Sequence, residues 1–206
     1  MGKKYRVLNL YAGVGGNRKL WTNVEVTAVE LDKRIGMVYQ DLYPDDQLVV
    51  GDAHKYLIEH YDDGWDFIWS SPPCQSHSQI RYRLGFLNDK VSAVYPDMGL
   101  YQEVILLENY YKGRWVVENV KGYYKPLIIP QVVHRHYFWS NFVISDFDFG
   151  CDAHRFASHD ERQVEKGMNL DKYVLPDKRR ILRECVRPEL GRHVFNCAFK
   201  RVQVKL

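Results

Sequence analysis

Cysteine is scarce in this chain of 206 residues: the four present, Cys74, Cys151, Cys185 and Cys197, follow no framework spacing. That excludes a disulfide-stapled fold and predicts reduced thiols. The chain has no apolar run of the roughly 18 residues that a membrane-spanning helix needs, so no membrane span is expected. The opening Met1-Gly2-Lys3-Lys4-Tyr5 carries no apolar signal segment, which predicts a cytoplasmic protein. Repeats and low-complexity tracts are also missing, and with them the solenoid and linker-rich classes. What remains, at 24.4 kDa and 46% hydrophobic residues, suits one globular domain with a small appendage. Net charge is only +3 but uneven: Lys178 to Leu206 holds nine Lys or Arg against Glu184 and Glu189, a local +7 that leaves −4 elsewhere. A basic tail on a near-neutral body suits a polyanion partner; a solvated helix face accounts for it equally well.

Strand and helix patterns alternate along the first part of the chain. Tyr5–Leu10 reads as a strand, followed by a glycine turn and a helix-compatible stretch over Asn17–Thr22. Glu25–Glu30 is a second strand, Asp32 caps a helix running to about Leu42, and Gln47–Val50 is a third strand. A short helix over His54–Tyr61 precedes a strand at Asp66–Ser70. Leu100–Tyr111 is helical by periodicity, and Arg114–Glu118 is a fifth strand. This alternation predicts an α/β fold, a doubly wound, mostly parallel sheet covered on both faces, with ligands at the carboxyl ends of its strands. Beyond Val120 the pattern weakens. Tyr137–Ile144 reads as strand, Ser145–Lys172 as polar and irregular, and Asp177–Arg187 and Glu189–Val202 as helices.

The glycine turn "NLYAGVGGN" sets Gly13, Gly15 and Gly16 just after the first strand, where a nucleotide can approach the backbone. Purely steric glycines explain such a turn too. Glu30, ending the second strand, is positioned to clamp a ribose diol. Asp52, after the third strand, can accept from an adenine amino group, or simply cap a helix. These features fit NAD and S-adenosylmethionine alike.

Residues Asp66 to Gln79, "DFIWSSPPCQSHSQ", decide between them. Pro72 and Pro73 fix the backbone leaving the fourth strand, so Cys74 sits over the crevice among polar neighbours, Gln75, Ser76, His77 and Ser78. That setting favours a reactive thiol over a core cysteine. One strand over, Glu118 ends an apolar strand, where desolvation favours a protonated, donating carboxyl. Carbon 5 of cytosine is too weak a nucleophile to attack a methyl sulfonium unaided. A thiolate adding to carbon 6, with an acid at N3, makes it enamine-like. Hydride transfer has no comparable use for this cysteine.

These residues resemble the cytosine-C5 DNA methyltransferases, and among them the short versions common in phage genomes and tied to restriction-modification. The likeness runs in order through "LYAGVGG", "VELD", "GDA", "SPPCQSHS", "ENV" and "PQVVHRHYF", about Val7 to Phe138. It implies a class I, Rossmann-like methyltransferase fold using S-adenosylmethionine, acting on duplex DNA as a monomer in a bacterial or phage-infected cell. By the resemblance, Tyr11 packs on the cofactor, Glu30 and Asp52 hold its ribose and adenine, and Leu100 closes the pocket. Ala12, Gly13, Gly15, Gly16, Leu31, Ala53 and Pro72 complete that site. Cys74 is the nucleophile presented by Pro73, Glu118 contacts N3, and Arg135 lies near the cytosine carbonyl. Gln75, Ser78 and Asn119 lie on the substrate side. Gln79 to Pro96 corresponds to the catalytic loop, whose Arg81, Arg83 and Lys90 suit phosphates beside a base flipped from the duplex.

The chain departs from the family pattern in three places. Val133 stands where an arginine is expected, Glu184 stands where the final motif has asparagine, and only Asn141 to Arg180 is left for target recognition. The implied organisation is a catalytic core over 1–140, a short recognition insertion over 141–180 and a returning C-terminal helix over 181–206. So small an insertion predicts short or relaxed specificity, or specificity supplied by a protein partner. Cys151, His154 and His159 lack an obvious fourth ligand, so no metal is expected. Two alternatives stay open: a tRNA cytosine-5 methyltransferase, or a cofactor- and DNA-binding subunit.

Overall fold

The computed structural model describes residues 4–79, 82–83, 94–147 and 157–199. Its seven-stranded sheet has the order β3-β2-β1-β4-β5-β7-β6. The strands are β1 (Tyr5–Leu10), β2 (Val24–Glu30), β3 (Gln47–Val50), β4 (Phe67–Ser70), β5 (Arg114–Val120), β6 (Gln131–Val133) and β7 (His136–Ser140). The first five are parallel throughout. Helices α1 (Lys33–Leu42), α2 (Ala53–His60) and α3 (Gly99–Tyr110) make the crossovers β2 to β3, β3 to β4 and β4 to β5. Chain direction across the sheet reverses between β1 and β4, so the crevice for ligands opens at their carboxyl ends.

The sheet is mostly parallel, as expected, and its exception is β7, which pairs antiparallel with both β5 and β6. β6 and β7 are joined by only His134 and Arg135, and so tight a turn permits antiparallel pairing alone. Side chains alternating along the strands supply both faces. Val7, Phe67, Trp69, Val116 and Phe138 pack with Leu190, Val194 and Phe195 of α6 (Pro188–Phe199). On the other face Leu8, Leu10, Ile68 and Val117 pack with Leu57 of α2 and Val104 and Leu107 of α3.

Two sequence readings change. The helix expected over Asn17–Thr22 is instead turns at residues 17–20 followed by two residues without regular structure. Asn17 directs its amide to Asn9 Oδ1 at 2.7 Å, Arg18 reaches Asp46 at 2.8 Å, and Trp21 is buried with Phe67 and Phe195. Tertiary contacts thus override the local apolar pattern. The polar stretch after Ser145 contains α4 (His159–Lys166), started by a capping box between Ser158 and Glu161 and ended by Gly167 at φ 57°. Together with α5 (Lys178–Glu184), this region brings Met168, Leu170 and Leu182 onto Val14 of the glycine turn and Val38 of α1. The described part of the expected recognition insertion therefore joins the core packing. No helix among the described residues is long and apolar enough to cross a membrane.

Candidate functional site

The carboxyl ends of β1 and β2 meet through Glu30. Its two carboxylate oxygens accept the amides of Gly13 and Asp32, each at 2.9 Å. A carboxylate has about four acceptor positions, so this bracing leaves lone pairs for a ligand's hydroxyls. The three glycines divide by role. Gly13, at φ 55°, has open space where a side chain would be. A side chain at Gly15 would strike the rings of Tyr39 and Tyr43, and one at Gly16 would overlap Cys185 Sγ and the Val186 carbonyl. Packing alone therefore accounts for Gly15 and Gly16, while Gly13 is the one open to a cofactor. Ala12 is buried with Ala28 and Tyr39, Ala53 is the buried first residue of α2, and Leu31 is exposed at the end of β2. Asp52 caps α2, accepting from the Lys55 amide at 3.0 Å, which uses one of its two oxygens.

Beside the glycine turn lies a cavity of about 360 Å³ lined by Tyr11, His54, Pro72, Asp97 and Leu100, among others. Its wall hangs on Glu103, a fully buried carboxylate of α3 that the sequence reading did not single out. Glu103 accepts from Tyr11 Oη at 2.6 Å and from Ser70 Oγ at 2.5 Å, and pairs with His54 Nδ1 at 3.0 Å. That hydrogen bond raises the His54 pKa, and burial followed by the Glu103 charge raises that of Tyr11. Tyr11 has backbone φ 55°, so its ring is fixed by an uncommon turn and by its hydroxyl bond together. These features fit a nucleoside-bearing cofactor: an aromatic wall, a bare glycine backbone and a carboxylate at the end of the second strand. Another cavity, about 370 Å³ between α3 and β7, contains none of the residues selected from sequence.

The loops that carry Cys74 and Glu118 are joined by bonds the sequence did not reveal. Ser70 pairs with Val117 in the register, which sets the β4 and β5 ends side by side. Asn119, buried next to Glu118, donates from Nδ2 to the Pro72 carbonyl at 2.8 Å and so ties the cysteine loop to β5. Ser71 Oγ donates to Glu118 Oε2 at 2.9 Å, and Glu118 Oε1 lies 2.6 Å from His136 Nδ1. Glu118 is 5% exposed, so its carboxyl is largely removed from water. Cys74 is half-buried, and its thiol is pushed up to about 11, first by burial and then by the charges of Glu184 and Glu118.

The loop after Cys74 is pinned on two sides. The amides of His77 and Ser78 donate to the Cys74 carbonyl, each at 3.0 Å, and buried His77 places Nδ1 2.6 Å from the Tyr124 hydroxyl. Ser76 Oγ accepts the Asp97 amide at the start of α3, at 3.0 Å. Pro73 and Gln75 are exposed, and Gln75 reaches Glu184 Oε1 at 3.4 Å. Ser78 bridges to Gly122, and Arg83 is exposed. Arg81 and Lys90, with Cys151 and His154, lie outside the described residues. His159 pairs with Asp171 at 3.0 Å, and among the described residues no cluster of His, Cys, Asp and Glu is arranged to hold a metal. Arg135 is exposed at the β6–β7 turn. The side chain against Glu118 is its neighbour His136, a contact that only the hairpin register reveals. Val133 is 2% exposed and packs beside Phe138, so a core contact occupies the expected arginine position.

A family model for C-5 cytosine-specific DNA methylase matches residues 5–127. No curated protein sequence matches the chain. Among solved structures it is similar to a hypothetical protein from Thermus thermophilus, at 18% identity and TM-score 0.43 over 66% of this chain and 74% of that one. A SAM-dependent methyltransferase from Agrobacterium tumefaciens overlaps at 14% identity and TM-score 0.41, over 60% of this chain and 41% of that one. The Dnmt2 methyltransferase of S. pombe overlaps at 20% identity and TM-score 0.41, over 57% and 35% respectively. The chain thus spans less than half the length of the latter two.

Proposed function

Since the chain belongs to the C-5 cytosine-specific DNA methylase family, with S-adenosylmethionine as its cofactor, we propose that it methylates C5 of cytosine in DNA through a covalent adduct on Cys74. The observation carrying this reading is the double tie between the two reacting loops: Asn119 to the Pro72 carbonyl at 2.8 Å, and Ser71 to Glu118 at 2.9 Å. These bonds satisfy the buried Asn119 amide and Glu118 carboxyl and in doing so hold the proposed nucleophile and acid at one edge.

The chemistry follows from the groups present. The Cys74 thiolate adds to C6 of cytosine, forming the S–C6 bond while the C5=C6 electron pair shifts into the ring. Glu118 gives its proton to N3 as that charge develops, and C5 becomes nucleophilic. When bound, S-adenosylmethionine supplies an electrophilic methyl group, and Tyr11, Gly13, Glu30, Asp52 and Leu100 would hold it. Loss of the C5 proton to a base then lets the S–C6 bond break, returning the thiolate and the N3 proton to the protein.

A nucleic acid as substrate is supported by charge. Burial lowers the pKa of Arg162 in α4, the Glu165 charge opposes that, and Arg179 and Arg183 of α5 and Arg135 of the hairpin lower it further, so these four cations lie within electrostatic reach of one another. Such a cluster is suited to phosphates. The test is transfer of labelled methyl groups from S-adenosylmethionine to cytosine-rich duplex DNA, with structured RNA as a parallel acceptor. Label enters duplex DNA, and Cys74→Ser abolishes it. Equal incorporation by both proteins removes the covalent mechanism, and label confined to RNA transfers the assignment to that polymer.

A further inference from the structure

The hydrogen bonds around Glu118 constrain where its proton can sit. Trp69 Nε1 donates to Ser71 Oγ at 2.7 Å, and an indole N–H has no accepting capacity. Ser71 therefore receives on its oxygen and directs its single hydrogen to Glu118 Oε2, 2.9 Å away. Oε2 is thereby held as an acceptor, which directs the titrating proton to Oε1, and that oxygen is 2.6 Å from His136 Nδ1. The contact is built into the sheet. Glu118 pairs with Phe138 and Val120 with His136, so Glu118 and His136 project from the same face on adjacent strands.

We infer that His136 is a positioning residue for methyl transfer: it shares one proton with Glu118 and carries that proton to and from the carboxyl that serves cytosine N3. The inference rests on the assignment of Glu118 as the acid in that reaction. Before attack the proton lies on Glu118 Oε1, with neutral His136 accepting through Nδ1. On donation to N3 the O–H bond breaks and an N3–H bond forms, leaving a carboxylate. A proton taken up from solvent by the exposed ring then gives His136 an Nδ1–H that stabilises that carboxylate, and the ring releases it again when Glu118 recovers its own proton from N3. One proton moves at each stage, and no oxidant or other reactant is needed. The exposed part of the imidazole, 22% of its side chain, gives the pair its exchange with solvent. The other titratable or charged groups around the pair are Cys74, coupled to Glu118, Lys121 after β5, whose amide bonds the Arg135 carbonyl, and His134 and Arg135 in the turn.

The experiment uses the full chain with S-adenosylmethionine and duplex DNA, comparing wild type with His136→Gln, whose side chain still donates a hydrogen bond but cannot carry the proton. Expected are a fall in kcat on the order of 100-fold, an unchanged KM for the cofactor, and loss of one limb from the pH profile of kcat. A profile keeping both limbs overturns the inference, because a merely structural His136 moves the rate and not its pH dependence. Nitrogen-15 spectra of the His136 ring provide an arm independent of activity: Glu118→Gln must change the protonation pattern at Nδ1, and an unchanged pattern also overturns it. An Nδ1 response to Glu118→Gln in a chain that transfers no methyl group leaves the proton-sharing pair standing and overturns the proposed function instead.

Discussion

A thiol pushed up to about 11 is protonated almost entirely at neutral pH, so Cys74 rests in a guarded form. At pH 8 its thiolate fraction is about one in a thousand. The guard has named parts, burial first and then Glu184 and Glu118, and Glu184 is the one that can be removed without touching the acid. Iodoacetamide labelling of Cys74, read by mass spectrometry, is expected to accelerate about tenfold per pH unit from pH 7 to 10. Glu184→Gln speeds it at pH 8, since losing a nearby negative charge lowers the thiol pKa. A flat rate across that range contradicts the guarded thiol. The glycine turn offers a second residue-level contrast. Gly16→Ala drives a methyl into Cys185 Sγ and the Val186 carbonyl, an overpacking cost of about 1–3 kcal/mol that appears in the thermal midpoint. Gly13→Ala meets no atom and loses only through its left-handed backbone, about 1–2 kcal/mol, while intruding on the cofactor space. Calorimetry is expected to show the affinity for S-adenosylmethionine dropping in Gly13→Ala more than in Gly16→Ala. Equal losses would remove the distinction between the two glycines.

Elements bring together what adjacent letters cannot. Glu103 lies within the periodic apolar helix α3, where nothing local marks it, yet its partners Tyr11, His54 and Ser70 are 92, 49 and 33 positions away. Glu103→Gln preserves shape but turns one acceptor into a donor facing donors. The expected result is about 1–3 kcal/mol less stability in a denaturant titration, with weaker cofactor binding because Tyr11 and His54 lose their anchor. Full stability with full affinity would show that the three contacts do not hold the pocket wall. The same contrast explains what is legible in the sequence. Apolar runs mark β1 to β5, and the ends of β4 and β5 mark Cys74 and Glu118, since each signal is local and periodic. β6, three residues after a proline, is too short to show a period. Without it the hairpin that brings His136 to Glu118 stays hidden. α4 is polar almost throughout, but the Ser158–Glu161 capping pair is a readable start signal that composition masks. Asn17–Thr22 fails in the opposite way, with a helical pattern locally and Trp21 committed to the core instead.

At the scale of the whole molecule, the basic C-terminal segment has a position as well as a composition. Folding sets α5 next to α4 and turns Arg179 and Arg183 to solvent, within electrostatic reach of Arg162 and of Arg135 at the hairpin turn. Arg183 and Glu184 also act on the Cys74 thiol, so the same helix borders the reacting edge. Glu184, 3.9 Å from Arg183, and Glu165 beside Arg162 offset part of this charge in the free protein, and the positive remainder is what a phosphate backbone would meet. Binding should therefore be strongly salt-dependent, since each neutralised phosphate of B-DNA contributes about 0.9 to the slope of log affinity against log salt concentration. Arg179→Gln combined with Arg183→Gln is expected to flatten that slope by up to about 2 in fluorescence anisotropy with a labelled duplex, with the thermal midpoint little changed because both side chains are exposed. If the slope stays at its wild-type value, the polyanion docks elsewhere and the charge of α5 belongs to its solvated face.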